Sequence, residues 1–262
     1  MGGSLLAACG DPPGYAGSVI QRATLDYNAV ATEYARHREV HPGVLAALLD
    51  AGGLTQTSRV LEVGCGTANY LAALHEAVDC QCWGIDPSEE MLEKGRARRV
   101  KENLSNGRAE QLGFDDGSFD LVFSVDVVHH VSDRAAYYRE AFRTLAAGGR
   151  VCTATDSEEI IRQRQPLSVY FPETVQIDMA RYAPIDDLRG MMSDAGFIAI
   201  HQVTVESASS TTDIRMYREK AFSCLHLIPS AAFERGIRRM EEDLRRGPIP
   251  CVSRYALIWG TA

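Results

Sequence analysis

The chain has 262 residues, 45% hydrophobic and 24% charged, with 27 basic and 35 acidic side chains and a net charge of −8. That balance belongs to an ordinary globular protein; it excludes collagen-like and disordered chains and argues against a basic duplex-binding face. No apolar run approaches the roughly 20 residues needed to cross a bilayer, so neither nucleic acid nor membrane is expected as a partner.

Residues 1–18, rich in Gly and Pro, read as a flexible leader. Leu6-Ala7-Ala8-Cys9 looks like a lipoprotein cleavage box, but too little apolar sequence precedes it for a signal peptide. The seven cysteines are scattered and odd in number, the pattern of reduced thiols in a cytoplasm. Cys80-Gln81-Cys82 has half the spacing of a metal site but no matching Cys/His pair, so no metal is expected.

Apolar residues at helical spacing predict N-terminal helices within 19–58, stopped at Gly52-Gly53. The β-branched strand Arg59–Val63 then breaks into Gly64-Cys65-Gly66, and a helix runs from about Thr67 to Ala77. A second strand, Gln81 to Ile85, ends at Asp86-Pro87. Ser88 caps the next helix, with Glu89 and Glu90 in its first turn. A strand from Phe119 to Val125, a helix from about Asp133 to Leu145 and a strand from Arg150 to Thr155 follow. Strands alternating with helices predict a parallel sheet covered on both faces. The alternation breaks over 157–183 and returns with a helix, Ile185 to Ala195, and a strand, Phe197 to Val205. Helices over about 213–227 and 230–245 interrupt it again before a last strand, Ser253 to Trp259. One α/β domain, 19–262, is expected, with a core at 59–156 and a cap made of 157–183 and 213–245.

The segment Val60-Leu61-Glu62-Val63-Gly64-Cys65-Gly66-Thr67 carries the chemistry. A strand that turns through two glycines into a helix brings bare backbone to a ligand and aims the helix N-terminus at it. Dinucleotide sites begin in the same way but ask for a third Gly or Ala where Asn69 stands. Glu62, just before the loop, would repel a pyrophosphate and suit an ammonium group. Asp86 ends the next strand, about 20 residues on, where a carboxylate can take both hydroxyls of a ribose. An adenosine ligand carrying an amino acid fits both features.

With these stretches, residues 59–155 resemble the class I S-adenosylmethionine-dependent methyltransferases, in the small-molecule group that includes the quinone-biosynthesis enzymes. Further matching stretches are Gly84 to Leu92, Gly107 to Phe114, Phe119 to Ser124 and Leu145 to Arg150. The resemblance implies a doubly wound, mostly parallel, seven-stranded Rossmann-like sheet with a helical cap inserted late in the chain. It also implies S-adenosylmethionine as cofactor and transfer of its methyl group to an O, N, C or S atom of a small molecule. Gly64, Gly66 and Thr67 would then hug the methionine part, with Glu62 near its amino group. Asp86 would bind the ribose, Pro87 and Met91 would flank the adenine, and the backbone of Ala109 and Glu110 would read its edge. Ser124 would lie beside the methionine part and face the acceptor. Arg108 stands where many relatives have Asp; lacking an acceptor, it leaves the adenine amino group to backbone or to Glu110.

His129 and His130 are the nearest candidates for a general base; the other reading is packing within a Val-Val-His-His-Val run. Tyr34 and Arg38, with His41, either close over the cofactor or decorate an amphipathic helix. Tyr170, Phe171, Tyr217 and Phe222 suggest a lid over a largely apolar acceptor, or else internal packing of that lid. The Asn/Asp-Pro-Pro-aromatic motif of nucleobase-amine methyltransferases is absent: Ser124-Val125-Asp126-Val127 stands in its place. The arginines of 235–246 alternate with acids and read as a solvated helix face. Two rivals are a nicotinamide-dependent oxidoreductase, disfavoured by Glu62 and Asn69, and a non-catalytic S-adenosylmethionine-binding protein. A cap filled with its own side chains would favour the latter. Oligomeric state is not legible.

Overall fold

At the centre of the sheet lies β1 (Arg59–Val63), whose Val60 to Val63 are all buried, as a parallel strand covered on both faces requires. The structure, a computed structural model, describes residues 39–96 and 103–262. The expected leader and the candidates Tyr34 and Arg38 lie outside the described residues. β1 pairs in parallel with β2 (Gln81–Asp86) on one side and β4 (Phe119–Val125) on the other. β3 (Leu104–Asn106) extends the sheet beyond β2, and β5 (Leu145–Thr155) extends it beyond β4. Two long strands complete it: β7 (Ile249–Thr261) runs antiparallel to β5, and β6 (Ile198–Thr211) antiparallel to β7. The seven strands take the order β3-β2-β1-β4-β5-β7-β6, the mostly parallel, doubly wound sheet of the expected class. The strand order reverses between β1 and β4, so a crevice opens at their carboxyl ends.

The helices follow their local signals. α1 (Pro42–Gly52) is capped by His41 and stopped at Gly53, φ 58°. α2 (Asn69–Val78) leaves the glycine loop, and α3 (Glu89–Gly95) is capped by the Ser88 hydroxyl, which accepts from the Met91 amide at 3.3 Å. α4 (Arg134–Thr144) starts at Asp133. Three short helices follow β5: α5 (Glu158–Gln163), α6 (Leu167–Tyr170) and α7 (Glu173–Arg181). α8 (Ile185–Ala195) ends at Gly196, φ 110°. Leu71, Leu74 and Leu92 pack on one sheet face with Val44 and Leu48; Tyr137, Tyr138, Leu188 and Met192 cover the other.

The boundaries differ where local periodicity is weak. β3 is only three residues with one buried side chain, too short for alternation to register. β6 continues past Val205 through a serine-rich run because each residue to Thr211 pairs with β7. The helix expected over 213–227 is instead α9 (Arg215–Arg218) and a 3-10 turn, Ser223–His226. Lys220 between them has φ 52°, which an α-helix does not accommodate.

Both interrupting segments form one cap. Leu167, Tyr170 and Phe171 from the first segment share a cluster with Ile214, Tyr217, Leu225 and Met240 from the second. Met240 lies on α10 (Ser230–Leu244), whose Gly236 lets Phe171 approach: a Cβ there would stand 2.8 Å from Tyr170 O. Phe171 is fully buried and stacks on Tyr217 and Phe233, with ring centroids 6.2 and 5.9 Å away. Phe171→Ala should therefore cost about 3–5 kcal/mol in urea unfolding, the range for a truncated core aromatic. An unchanged midpoint would place Phe171 outside the cap's core.

Candidate active site

The turn after β1 is shaped by what its glycines leave out. Gly64 has φ 72°, and a Cβ on it would meet Val127 Cγ1 at 2.7 Å. The Gly64 and Cys65 amides both donate to Ile85 O, at 2.8 and 3.0 Å, which ties the turn to β2. Gly66, φ 52°, faces open space. α2 follows Ala68, which gives it no side-chain cap, and a helix N-terminus is by its backbone dipoles suited to an anion. Thr67 is buried and donates from its hydroxyl to Asn69 Oδ1 at 3.1 Å.

Asp86 closes this turn from the side. Its Oδ2 accepts from the Gly66 amide at 2.9 Å and its Oδ1 from the Ser88 amide at 2.8 Å. Burial raises its pKa, while these two backbone donors pull it down. Nearby, Pro87 is exposed and Met91 buried. Asn106 donates to Pro87 O at 3.0 Å and so joins β3 to the same rim.

Glu62 is the anomaly of the loop. It is 3% exposed, and its Oε2 is buried without a hydrogen-bond partner. Burial and then the Asp86 charge push its pKa well above the ordinary carboxylate value, against a backbone hydrogen bond from Leu71. A buried carboxylate oxygen left without a donor is costly, and a cationic ligand group is the natural partner for it. The orphaned oxygen, the open Gly66 and the uncapped α2 together fit an amino acid's ammonium and carboxylate. Asp86 at the next strand end fits the ribose. The residues present thus suit S-adenosylmethionine.

The other expected contacts divide. Ala109 is buried in the core cluster, and the Glu110 Oε1 accepts from the Ser132 amide at 3.0 Å, bracing the segment after β4. Arg108 points to solvent, 68% exposed and 3.6 Å from Glu110. Ser124 is not on the crevice wall. Strand alternation turns it beneath α4, where its buried hydroxyl accepts from Tyr137 Oη at 3.1 Å.

A cavity of about 550 Å³ opens beside the loop, between the start of α1, the turn after β4, and the cap. His129 and His130 both reach its wall. The His129 ring stacks on Tyr182 at 4.0 Å and 15°, and lies 3.8 Å from His130. Tyr182 is half-buried, and burial followed by Asp126, Asp156 and Asp178 raises its pKa. Tyr217 and Phe222 line the cavity, whereas Tyr170 and Phe171 do not. The reason is geometric: Tyr170 turns its hydroxyl to Asp243 Oδ2, 2.8 Å away, and Phe171 lies in the cap's own core. The wall is accordingly mixed rather than apolar.

Sequence reading missed the ionic floor of the cavity. Arg164 donates to Asp156 Oδ2 at 3.2 Å and to Asp178 Oδ2 at 2.6 Å, and Arg181 donates to Asp178 Oδ1 at 3.0 Å. Burial opposes the Arg164 charge, but the two aspartates outweigh it and raise its pKa. Asp126 and Asp156 each directly follow a strand, β4 and β5, the one local sign available, and Tyr255 lies within β7. Cys80 and Cys82 bring their sulfurs to 3.7 Å in the core, and no metal-binding group of three His, Cys, Asp or Glu occurs among the described residues. No helix among the described residues is long and apolar enough to cross a membrane.

Comparison with known proteins adds to this geometry. Residues 61–153 match a family described as a methyltransferase domain. The chain is 33% identical over 163 residues to a demethylmenaquinone methyltransferase of Staphylococcus epidermidis, covering 53% of this chain and 68% of that one. It is 30% identical over 167 residues to the Geobacillus protein of the same name, covering 54% and 71%. Solved structures share the fold. One from Anabaena variabilis, assigned to an antibiotic biosynthesis pathway, has a TM-score of 0.65 at 20% identity, over 84% of this chain and 96% of that one. The phosphoethanolamine N-methyltransferase 2 of Haemonchus contortus, solved with S-adenosyl-L-methionine, has a TM-score of 0.56 at 19% identity, over 89% and 57%.

Glu62 yields a test on stability. Its raised pKa means that the folded state favours the protonated form; this contribution is full below the unfolded carboxylate value and is lost as pH rises through the folded one. Glu62→Gln should remove that loss. Without ligand, the variant should be more stable than the parent at pH 8, by on the order of 1 kcal/mol, with the gap shrinking toward pH 4. Parallel urea melts check this; a less stable variant at pH 8 would mean that the charged carboxylate is well satisfied.

Proposed function

Because the chain belongs to the class I S-adenosylmethionine-dependent methyltransferases, we propose that the glycine loop holds the methionine part of the cofactor and that the cavity beside it holds the methyl acceptor. The enzyme moves the methyl group of S-adenosylmethionine to a small molecule. When bound, the cofactor supplies a methyl group already activated on a sulfonium. The protein's task is then to align the acceptor and exclude water, which lowers the barrier through orientation rather than new covalent chemistry.

The orphaned Glu62 Oε2 carries this reading, since it asks for a cation where the cofactor's ammonium would lie. Gly64, Gly66 and Thr67 would line the methionine channel and the first turn of α2 would receive the carboxylate. Asp86, already oriented by the Gly66 and Ser88 amides, would accept from the ribose hydroxyls. Pro87, Met91 and Ala109 would border the adenine, while Glu110 braces the neighbouring turn. His129, stacked on Tyr182, or His130 beside it would take a proton from an acceptor heteroatom on its ring nitrogen. An open cavity, rather than a cap filled by its own side chains, favours an enzyme over a non-catalytic binder.

The acceptor should have a planar or apolar body that meets Tyr182, Tyr217 and Phe222, with polar groups for the ionisable wall. A metabolite-library screen with methyl-labelled cofactor tests turnover and acceptor together. For the cofactor side, Asp86→Ala should weaken S-adenosylhomocysteine binding in calorimetry by about 1.5–3 kcal/mol, roughly 10- to 100-fold. Unchanged affinity in a folded variant would overturn the ribose assignment.

A further inference from the structure

α4 begins with a residue that its own helix does not favour. Asp133 caps it, with Oδ1 accepting from the Ala136 amide at 2.8 Å, and Arg134 follows at the first helical position. A cation there opposes the helix dipole, which suits an acid in the first turn. A local rule broken in this way points to a tertiary role, and the contacts of Arg134 supply one.

The Arg134 guanidinium spans two segments far apart in the chain. Its Nε donates to Val128 O at 2.9 Å and its Nη2 to Arg181 O at 3.0 Å. Val128 belongs to the turn after β4 that carries His129, and Arg181 is the last residue of α7. The carbonyl end of α7 welcomes a cation, so the charge that α4 disfavours is favoured where it lands. The planar fork of a guanidinium can hold two carbonyls at a fixed angle, which the point charge of an ammonium does not.

Next to these two carbonyls in sequence stand His129 and Tyr182, whose rings stack with centroids 4.0 Å and planes 15° apart. Both line the cavity. The turn is anchored by Val127 against Gly64 and by Val128 and Val131 in the core. Tyr182 belongs to the cap, whose two segments Arg181 joins by donating to Ser223 Oγ at 3.1 Å. Arg134 thus fastens together the backbone that carries both rings.

Resting on the methyltransferase reading above, we propose that Arg134 is a positioning residue of the site: by joining the turn after β4 to the cap, it keeps the His129 ring stacked on Tyr182 and so sets where that imidazole meets the methyl acceptor.

Proton NMR of the full chain saturated with S-adenosylhomocysteine reads the stack directly, because one ring lying over another moves its protons upfield. His129→Gln identifies the His129 ring signals. In the parent they should lie upfield of those of the exposed His226; Tyr182→Leu should abolish the displacement and Tyr182→Phe should keep it. Arg134→Met loses both charge-assisted hydrogen bonds and should lose about half or more of the displacement, with S-adenosylhomocysteine affinity within about twofold of the parent. Arg134→Lys keeps the charge without the fork; it should show the same loss in smaller degree, and it decides the matter if the Met variant fails to fold. A purely stabilising Arg134 would lower the urea midpoint and leave the His129 signals in place. That result, or a parent whose His129 signals are not displaced, overturns the inference. Failure of the parent to bind S-adenosylhomocysteine would instead overturn the cofactor reading, so the two failures are separable.

Discussion

The contact between Gly64 and Val127 joins the two halves of this enzyme's site. One residue belongs to the loop after β1, the other to the turn after β4, and they approach so closely that no side chain fits at position 64. The glycine loop proposed for the cofactor forms one partner of that contact, and Asp126, His129 and His130 of the cavity wall flank the other in sequence. Its neighbours inherit its placement: Glu62 beneath the loop, Asp126 beside the turn, and His129 and His130 just beyond. A parallel sheet makes such a meeting natural, because the carboxyl ends of β1 and β4 are adjacent at the point where strand order reverses.

The loop also shows stability exchanged for binding. Glu62 and Asp86 are carboxylates set close together, one buried and one partly so, and burial raises the pKa of both. In an unliganded protein that arrangement is unfavourable, since two carboxylates crowd together and Glu62 Oε2 meets no donor. A ligand carrying an ammonium and two hydroxyls turns the same pair into an asset. Polar groups left short of partners inside a well-packed core are expected at sites of binding and are hard to justify elsewhere.

The cap depends on two kinds of force. Stacked aromatics around Phe171 hold its two chain segments together, while Arg164 and Arg181 both engage Asp178 and Arg164 reaches on to Asp156, just after β5. Buried ion pairs contribute little net stability because desolvation offsets the attraction, but they penalise any misplacement strongly. Their consequence here is geometric: they fix where the cap stops and so how much room remains below it. The same network leaves no unpaired cation among the described residues of the cavity wall.

The strand-turn-helix at 59–78, the carboxylate ending β2, the Ser88 cap and the alternation that yields the parallel sheet were all legible in the residues themselves. Each is a local matter: β-branched runs extend, glycines turn, hydroxyls cap, and the spacing of apolar residues sets which faces are covered. Tertiary structure alone decided which side chains face the cavity. Tyr170 and Phe171 look no different in sequence from Tyr217 and Phe222, yet the first pair fills the cap and both members of the second line the wall. Ser124 lies next to the end of β4, and alternation along the strand directs its hydroxyl beneath α4 to Tyr137. Asp126 and Tyr255, 129 positions apart, meet only because β7 returns antiparallel beside β5. Local chemistry writes the backbone path; a cavity is the space left when segments distant in sequence pack together, and no single segment carries its shape.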